Sequence, residues 1–135
     1  MKKKRTVTII AVLAVAFVVV YFVATRIMEN IELNLVQLES LEIVDVDLSM
    51  IEDGTYSGNY EVFPVAAEVE VTVVKHRITE IELVKHRHGQ GEAAEIIPAK
   101  VVETQTLQVD TVSGATYSSK VLLKAVELAL TSASK

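Results

Sequence analysis

The longest apolar run of the chain covers residues 6–25, TVTIIAVLAVAFVVVYFVAT, and contains no charged residue. As an α-helix rising about 1.5 Å per residue, this run would measure roughly 30 Å, the thickness of the hydrocarbon core of a bilayer. Core helices of soluble proteins rarely lack a polar face over such a length. The pattern therefore predicts a transmembrane helix.

A cleaved signal peptide is the alternative interpretation of this segment. Its apolar region usually has about 7 to 15 residues and is followed by a small-residue cleavage site, which is not evident here. We therefore expect the segment to stay attached as an anchor. Basic residues 2–5 precede it, whereas Arg26 is followed by Glu29 and Glu32. The positive-inside rule then predicts a single-pass cell-membrane protein with a cytoplasmic N-terminus and an extracytoplasmic body.

The next segment has apolar residues at helical spacing between residues 26 and 39. They are Ile27, Ile31, Leu35 and Leu38. The pattern predicts an amphipathic helical stalk, and a short extended linker after it. The predicted organisation is a membrane anchor over 1–25, a helical stalk and linker over 26–52, and one domain over 53–135.

Apolar and polar residues alternate in the first half of this domain. Val69, Val71 and Val73 alternate with acidic and hydroxyl residues, and a less regular alternation follows Ile78. The KHRI sequence between the two runs predicts a tight β-hairpin. The DGTYSGNYEVF sequence before them predicts a further strand, with a bulge near Gly58. Four glutamates are expected on the solvated face of this sheet, namely Glu68, Glu70, Glu80 and Glu82.

Helical spacing returns in the second half of the domain. Apolar residues between Ala93 and Val102 indicate a helix, in which Pro98 either opens a second helix or kinks the first. A longer amphipathic helix is predicted over residues 117–130. The expected fold class is α+β, a small antiparallel sheet packed by helices and preceded by one transmembrane helix and its stalk.

Charge and composition exclude several kinds of function. Four of the 13 basic residues lie at positions 2–5, which leaves nine against all 18 acidic residues in the rest of the chain. Nucleic acid is therefore excluded as a partner, because phosphate-backbone binding requires clustered basic residues on the folded part. The absence of cysteine excludes disulfides, thiolate metal sites and iron–sulfur clusters.

The histidines and carboxylates give no predicted catalytic or metal site. His86 and His88 lie two residues apart in a glycine-rich segment, but the sequence shows no third ligand for a metal. His76 lies in the expected hairpin turn, where a histidine is ordinarily exposed to solvent. No Ser-His-Asp set or carboxylate pair has a spacing that singles it out, so hydrolase chemistry is not supported.

The VDTVSGATYSSK sequence, residues 109–120, precedes the last predicted helix. The first N–H groups of a helix lack intrahelical partners, so this end suits either a capping hydroxyl from Ser113 or Thr116, or a bound phosphate. Capping alone does not explain the small Gly114 and Ala115 between them, or Asp110 three residues ahead of Ser113. Both interpretations remain open on the residues alone.

The DTVSGATYSS sequence resembles the flavinylation motif of the FMN-binding domain family. That motif has an aspartate, two variable residues, a serine or threonine, glycine, alanine, and a second serine or threonine. The matching residues here are Asp110, Ser113, Gly114, Ala115 and Thr116. The DGTYSGNY and HGQGEAAEIIPAKVVETQ sequences also resemble that family in order and spacing, so the resemblance extends over residues 53–130.

The resemblance implies that FMN is covalently attached by a phosphoester to Thr116, with the other four motif residues around it. A flavin transferase using FAD and magnesium would install it outside the membrane. The family includes subunits of Rnf-type and sodium-pumping oxidoreductases and domains of extracellular electron-transfer systems. It therefore implies an electron carrier between a membrane redox donor and an extracytoplasmic acceptor, rather than a stand-alone enzyme.

Two alternatives to the electron carrier remain. One is a membrane-anchored binding or structural module that keeps the fold without flavin. The other is an extracellular reductase that uses bound FMN on its own substrate, although no acid or base groups for such a substrate can be named from the sequence.

Overall fold

A computed structural model describes residues 2–133 of the chain. Its helices and strands are α1 (Lys2–Glu39), β1 (Gly54–Val62), β2 (Val65–Val74), β3 (Arg77–Arg87), α2 (Ile97–Thr104) and α3 (Thr116–Ala133). Two short 3₁₀ helices, Leu48–Met50 and Glu92–Ile96, complete the described structure. The chain divides into two compact units between Leu33 and Asn34.

The N-terminal unit consists of most of α1. Lys3–Glu39 is long and apolar enough to cross a membrane, and its most apolar part is not buried. This agrees with the predicted span by length and composition. A signal sequence near an N-terminus has the same two properties.

The second unit contains the three-stranded antiparallel sheet, in the order β1-β2-β3. The hairpin between β2 and β3 turns at Lys75 and His76, as the KHRI sequence predicts, and both residues have positive φ. Glutamates of β2 and β3 are exposed on the outer face, which confirms the solvated face. The sheet and its helices confirm the predicted α+β class.

The β-bulges of this sheet do not lie where the sequence predicted one. The β1–β2 register is unbroken from Gly54 opposite Val73 to Val62 opposite Val65, so the bulge expected near Gly58 is absent. Instead, the β2–β3 register shifts twice, and Thr79 and Val84 are the residues left without a partner in β3. These two extra residues explain why the apolar alternation after Ile78 is irregular.

Helix α3 packs across β1 and β2 and encloses the core of this unit. Gly58 permits this packing, because a Cβ at this position would lie 2.1 Å from the Ala125 carbonyl oxygen. The glycine is thus required by a close approach of strand to helix and not by a bulge. The fully buried apolar residues of α3 include Val121, Leu122, Ala125, Val126 and Ala129.

Helix α2 packs beside β3. The preceding residues 92–96 form a 3₁₀ helix, and Pro98 lies in the first turn of α2, so the proline opens a helix instead of kinking one. Helix α3 begins one residue before the predicted start at 117 and continues to Ala133.

Residues 34–47 are held against the domain. Leu38 is fully buried in its core. The Val44 N–H donates to Glu127 Oε2 at 2.9 Å, and the Leu107 N–H donates to Asp45 Oδ1 at 3.0 Å. The end of the predicted stalk and its linker therefore contribute to the core. At Asp47, hydrogen bonds from the Ser49 hydroxyl and N–H lower the pKa of the carboxyl.

Candidate cofactor site

The turn that precedes α3 is fixed by a buried serine. Ser119 Oγ donates to the Ala115 carbonyl at 2.8 Å and accepts the Val112 N–H at 3.0 Å. The Ala115 N–H closes the turn on the Val112 carbonyl at 2.9 Å. Gly114 within this turn has a φ of 79°, a conformation that L side chains rarely adopt. The chain therefore presents Thr116 as the first residue of α3 in a defined position.

Capping by Ser113 or Thr116 is not what the structure shows. Both residues are exposed, and among residues 2–133 neither hydroxyl makes a hydrogen bond. Of the two interpretations left open by the sequence, capping is not supported, because Ser119, one turn inside the helix, supplies the hydroxyl that orders the turn. The Thr116 hydroxyl is consequently available for chemistry.

Thr116 lies on the wall of a cavity of about 290 Å³. One side of the cavity is formed by Gly114–Ser118 at the start of α3. The other side is formed by His88–Gly91, the loop after β3. Leu35, Pro64 and Val65 add apolar surface. The cavity thus joins two sequence segments that lie far apart along the chain.

The loop after β3 approaches α3 closely. A Cβ at Gly91 would lie 2.1 Å from Ser118 Oγ, so a side chain there would collide with the first turn of the helix. A Cβ at Gly114 would meet nothing within 4 Å. Gly91 therefore brings the two walls together, whereas Gly114 leaves open space beside Thr116.

The five predicted site residues do not all line the cavity. Gly114, Ala115 and Thr116 line the cavity, whereas Asp110 and Ser113 are exposed and are not among its lining residues. Ser118 and Ser119 offer competing hydroxyls in the sequence, over which the motif selects Thr116. The structure buries both serines, and the sequence alone does not indicate that Ser119 orders the turn.

The charge distribution at the cavity suits an anion. The first turn of α3 has backbone N–H groups without intrahelical partners and carries the positive end of the helix dipole. The lining residues described include no carboxylate. A phosphate at this helix end is therefore favoured by the backbone and meets no carboxylate among the described lining residues.

Residues 65–131 match the family model of the FMN-binding domain. These residues belong to the FMN-binding domain family. The match confirms the resemblance drawn from the motif, and it places β2, β3, both cavity walls and α3 within the FMN-binding domain. It begins at Val65, so β1 lies outside the matched residues although it pairs with β2. None of the curated proteins compared matches the chain.

The FMN-binding domain has a cavity that fits its ligand in three respects. The start of α3 offers N–H groups to the phosphate, and the open space at Gly114 leaves room for a group against the backbone. The wall at Leu35, Pro64 and Val65 offers apolar contact. The residues present are therefore compatible with FMN.

Proposed function

We propose that the protein is a membrane-anchored extracytoplasmic flavoprotein that carries electrons through FMN joined by a phosphoester to Thr116. One observation carries this proposal. The Thr116 hydroxyl is exposed, unpaired among the described residues, and placed at the start of α3 on the cavity wall inside the FMN-binding domain.

The attachment reaction balances with FAD as the donor. The Thr116 oxygen forms a bond to the phosphorus of the FMN half, the pyrophosphate bond of FAD breaks, and AMP leaves. The hydroxyl proton passes to solvent or to a base of the transferase. A flavin transferase with magnesium is the proposed partner for this step, because the exposed Thr116 hydroxyl makes no hydrogen bond to a base among residues 2–133.

The chain itself binds and orients the cofactor in this proposal. N–H groups in the first turn of α3 face the phosphate ester, and Gly114 leaves the space that the ester requires. The isoalloxazine ring supplies the redox chemistry by accepting and releasing one or two electrons. Leu35, Pro64 and Val65 give that ring an apolar surface to contact.

The cavity favours an electron carrier over a reductase with its own substrate. Of the described lining residues, only His88 and Tyr117 have titratable side chains. Neither side chain makes a hydrogen bond to another acid or base within residues 2–133. A proton relay to a substrate is therefore not built into this wall, and transfer between a membrane redox donor and an extracytoplasmic acceptor remains the proposal.

The direct experiment is to produce the full chain in cells with and without the flavin transferase. We expect the intact mass to rise by one FMN less one water only when the transferase is present, with a flavin absorption spectrum that persists after denaturation. A chain of unchanged mass that is colourless under both conditions would instead support the non-flavin binding or structural module.

The proposed topology gives a separate prediction. Because four basic residues precede the apolar helix and acidic residues follow it, we expect protease added to spheroplasts to digest the domain. The control is a chain that carries a protease-sensitive tag at its N-terminus. Protease added to the same spheroplasts should leave that tag intact. Protection of the domain, or an N-terminal sequence that begins after residue 25, would contradict the anchor.

A further inference from the structure

We propose that His86, His88 and Glu95 bind a divalent transition-metal ion beside the cavity. Each residue offers one ligand atom, and these three atoms lie within 4.8 Å of one another. His86 Nδ1 is 3.0 Å from Glu95 Oε1. Two ligand atoms on one zinc ion are roughly 3.4 Å apart, given metal–ligand bonds of about 2.1 Å. Small side-chain rotations therefore suffice to close the site.

Each of the two histidine rings has one buried nitrogen without a hydrogen-bond partner among the described residues. The His86 side chain is 2% exposed, and its Nε2 has no hydrogen-bond partner among the described residues. His88 Nδ1 is also buried without a partner. Unpaired buried nitrogens are unfavourable. His88 Nδ1 is the unpaired nitrogen that an ion held by His86 Nδ1 and Glu95 Oε1 would satisfy, since the two rings lie 4.7 Å apart.

A β-bulge places these rings on the inner face. Strand alternation from Leu83 would point Lys85 inward, but the extra residue Val84 shifts the pattern by one. His86 therefore pairs with the buried Ala67, and Lys85 pairs with the exposed Glu68. A bulge that directs an imidazole inward instead of a lysine is consistent with a binding role.

The third ligand comes from a separate element. Glu95 lies in the 3₁₀ helix Glu92–Ile96, and its side chain is 43% exposed, which gives an ion a path from solvent. Two imidazoles and one carboxylate form a donor set that suits zinc and its neighbours in the transition series, and not calcium or magnesium. Three protein ligands leave a further coordination position for water.

The ion would link the end of β3 to the segment that leads into α2. His88 also lines the cavity, so the same ion would hold the loop wall that faces Thr116. This chain has no cysteine and hence no disulfide to hold that loop. Metal binding is expected to raise its thermal stability, because the ion binds the folded state in preference to the unfolded one. The proposal does not depend on the attached flavin.

The test uses the full chain in detergent micelles, free of flavin and of any histidine tag, titrated with Zn²⁺ in a calorimeter. We expect one ion per chain and a higher melting temperature in its presence. His88→Gln and Glu95→Gln should each weaken binding by at least about tenfold, as loss of ligands or their immediate partners does. With Co²⁺, the colourless protein should develop visible absorption bands.

His76→Asn is the matched control, because His76 is the one histidine of the sequence outside the proposed site and lies exposed in the hairpin turn. Asparagine tolerates its positive φ of 60°. This variant should bind Zn²⁺ as the original protein does.

The Glu95→Gln variant changes a half-exposed side chain, so this variant should fold even if a histidine variant does not. Absence of Zn²⁺ binding, or equal binding by the Glu95→Gln variant, would overturn the proposal.

Discussion

Thr116→Ala protein from cells that contain the flavin transferase is expected to be colourless and to lack the mass of one FMN less one water. Of the two described cavity-lining residues with an aliphatic hydroxyl, Thr116 is exposed and Ser118 is 3% exposed, so the substitution removes the accessible one. The Thr116 side chain is exposed and makes no hydrogen bond within residues 2–133. Its loss should therefore change the free energy of unfolding by no more than about 0.5 kcal/mol.

Two variants separate loss of the attachment atom from loss of structure. Thr116→Ser keeps a hydroxyl at the same position and should still be modified. Ser113→Ala removes an exposed hydroxyl that does not line the cavity, and it should be modified as the original chain is. Melting curves by circular dichroism would show that all three variants fold. Covalent flavin on denatured Thr116→Ala protein would refute the attachment site.

Features that depend on neighbours along the chain were predictable from the sequence. The apolar helix, the KHRI hairpin and α3 each follow from a periodic pattern within one segment. The start of α3 was predicted within one residue, because the small and hydroxyl residues of the SGAT sequence mark a helix N-terminus. The motif also directed attention to the residue that lies on the cavity wall.

Features that depend on distant segments were not predictable. Glu95 was missed as a neighbour of His86 because a loop of several residues separates them and the bulge at Val84 decides which side chains face inward. The contacts of Gln105 with β3 were likewise not predictable, because they join segments far apart in the sequence. Its side-chain amide donates to the Ile78 carbonyl at 2.8 Å and accepts the Ile78 N–H at 2.9 Å. These contacts satisfy the backbone of the edge strand β3.

The candidate site combines both kinds of feature. The motif supplies one wall, which local sequence specifies through Gly114 and Thr116. The opposite wall requires the β3 loop to reach α3, and this depends on the missing side chain at Gly91. The glycine-rich sequence after His88 does not reveal this packing, in which Gly91 accommodates the Ser118 side chain. Glycines that permit element packing and glycines that permit ligand binding look alike in a single sequence.

Gly58→Ala is expected to destabilise the domain by about 3 kcal/mol, the upper part of the range for overpacked positions. The added Cβ would lie 2.1 Å from the Ala125 carbonyl oxygen and 2.6 Å from the Ala129 backbone nitrogen. Because both atoms belong to the helix backbone, the strain is relieved only if α3 moves away from β1. Thr116 begins that helix, so the variant should also be flavinylated less completely.

Thermal melting and urea unfolding of the full chain in micelles would measure this effect. A loss of about 3 kcal/mol corresponds to a melting temperature lower by roughly 10 to 25 °C for a domain of this size. Ser57→Ala is the matched control, because it alters the adjacent exposed strand residue and should change stability by no more than about 0.5 kcal/mol. Equal melting temperatures for the two variants would contradict the close approach of β1 and α3 at Gly58.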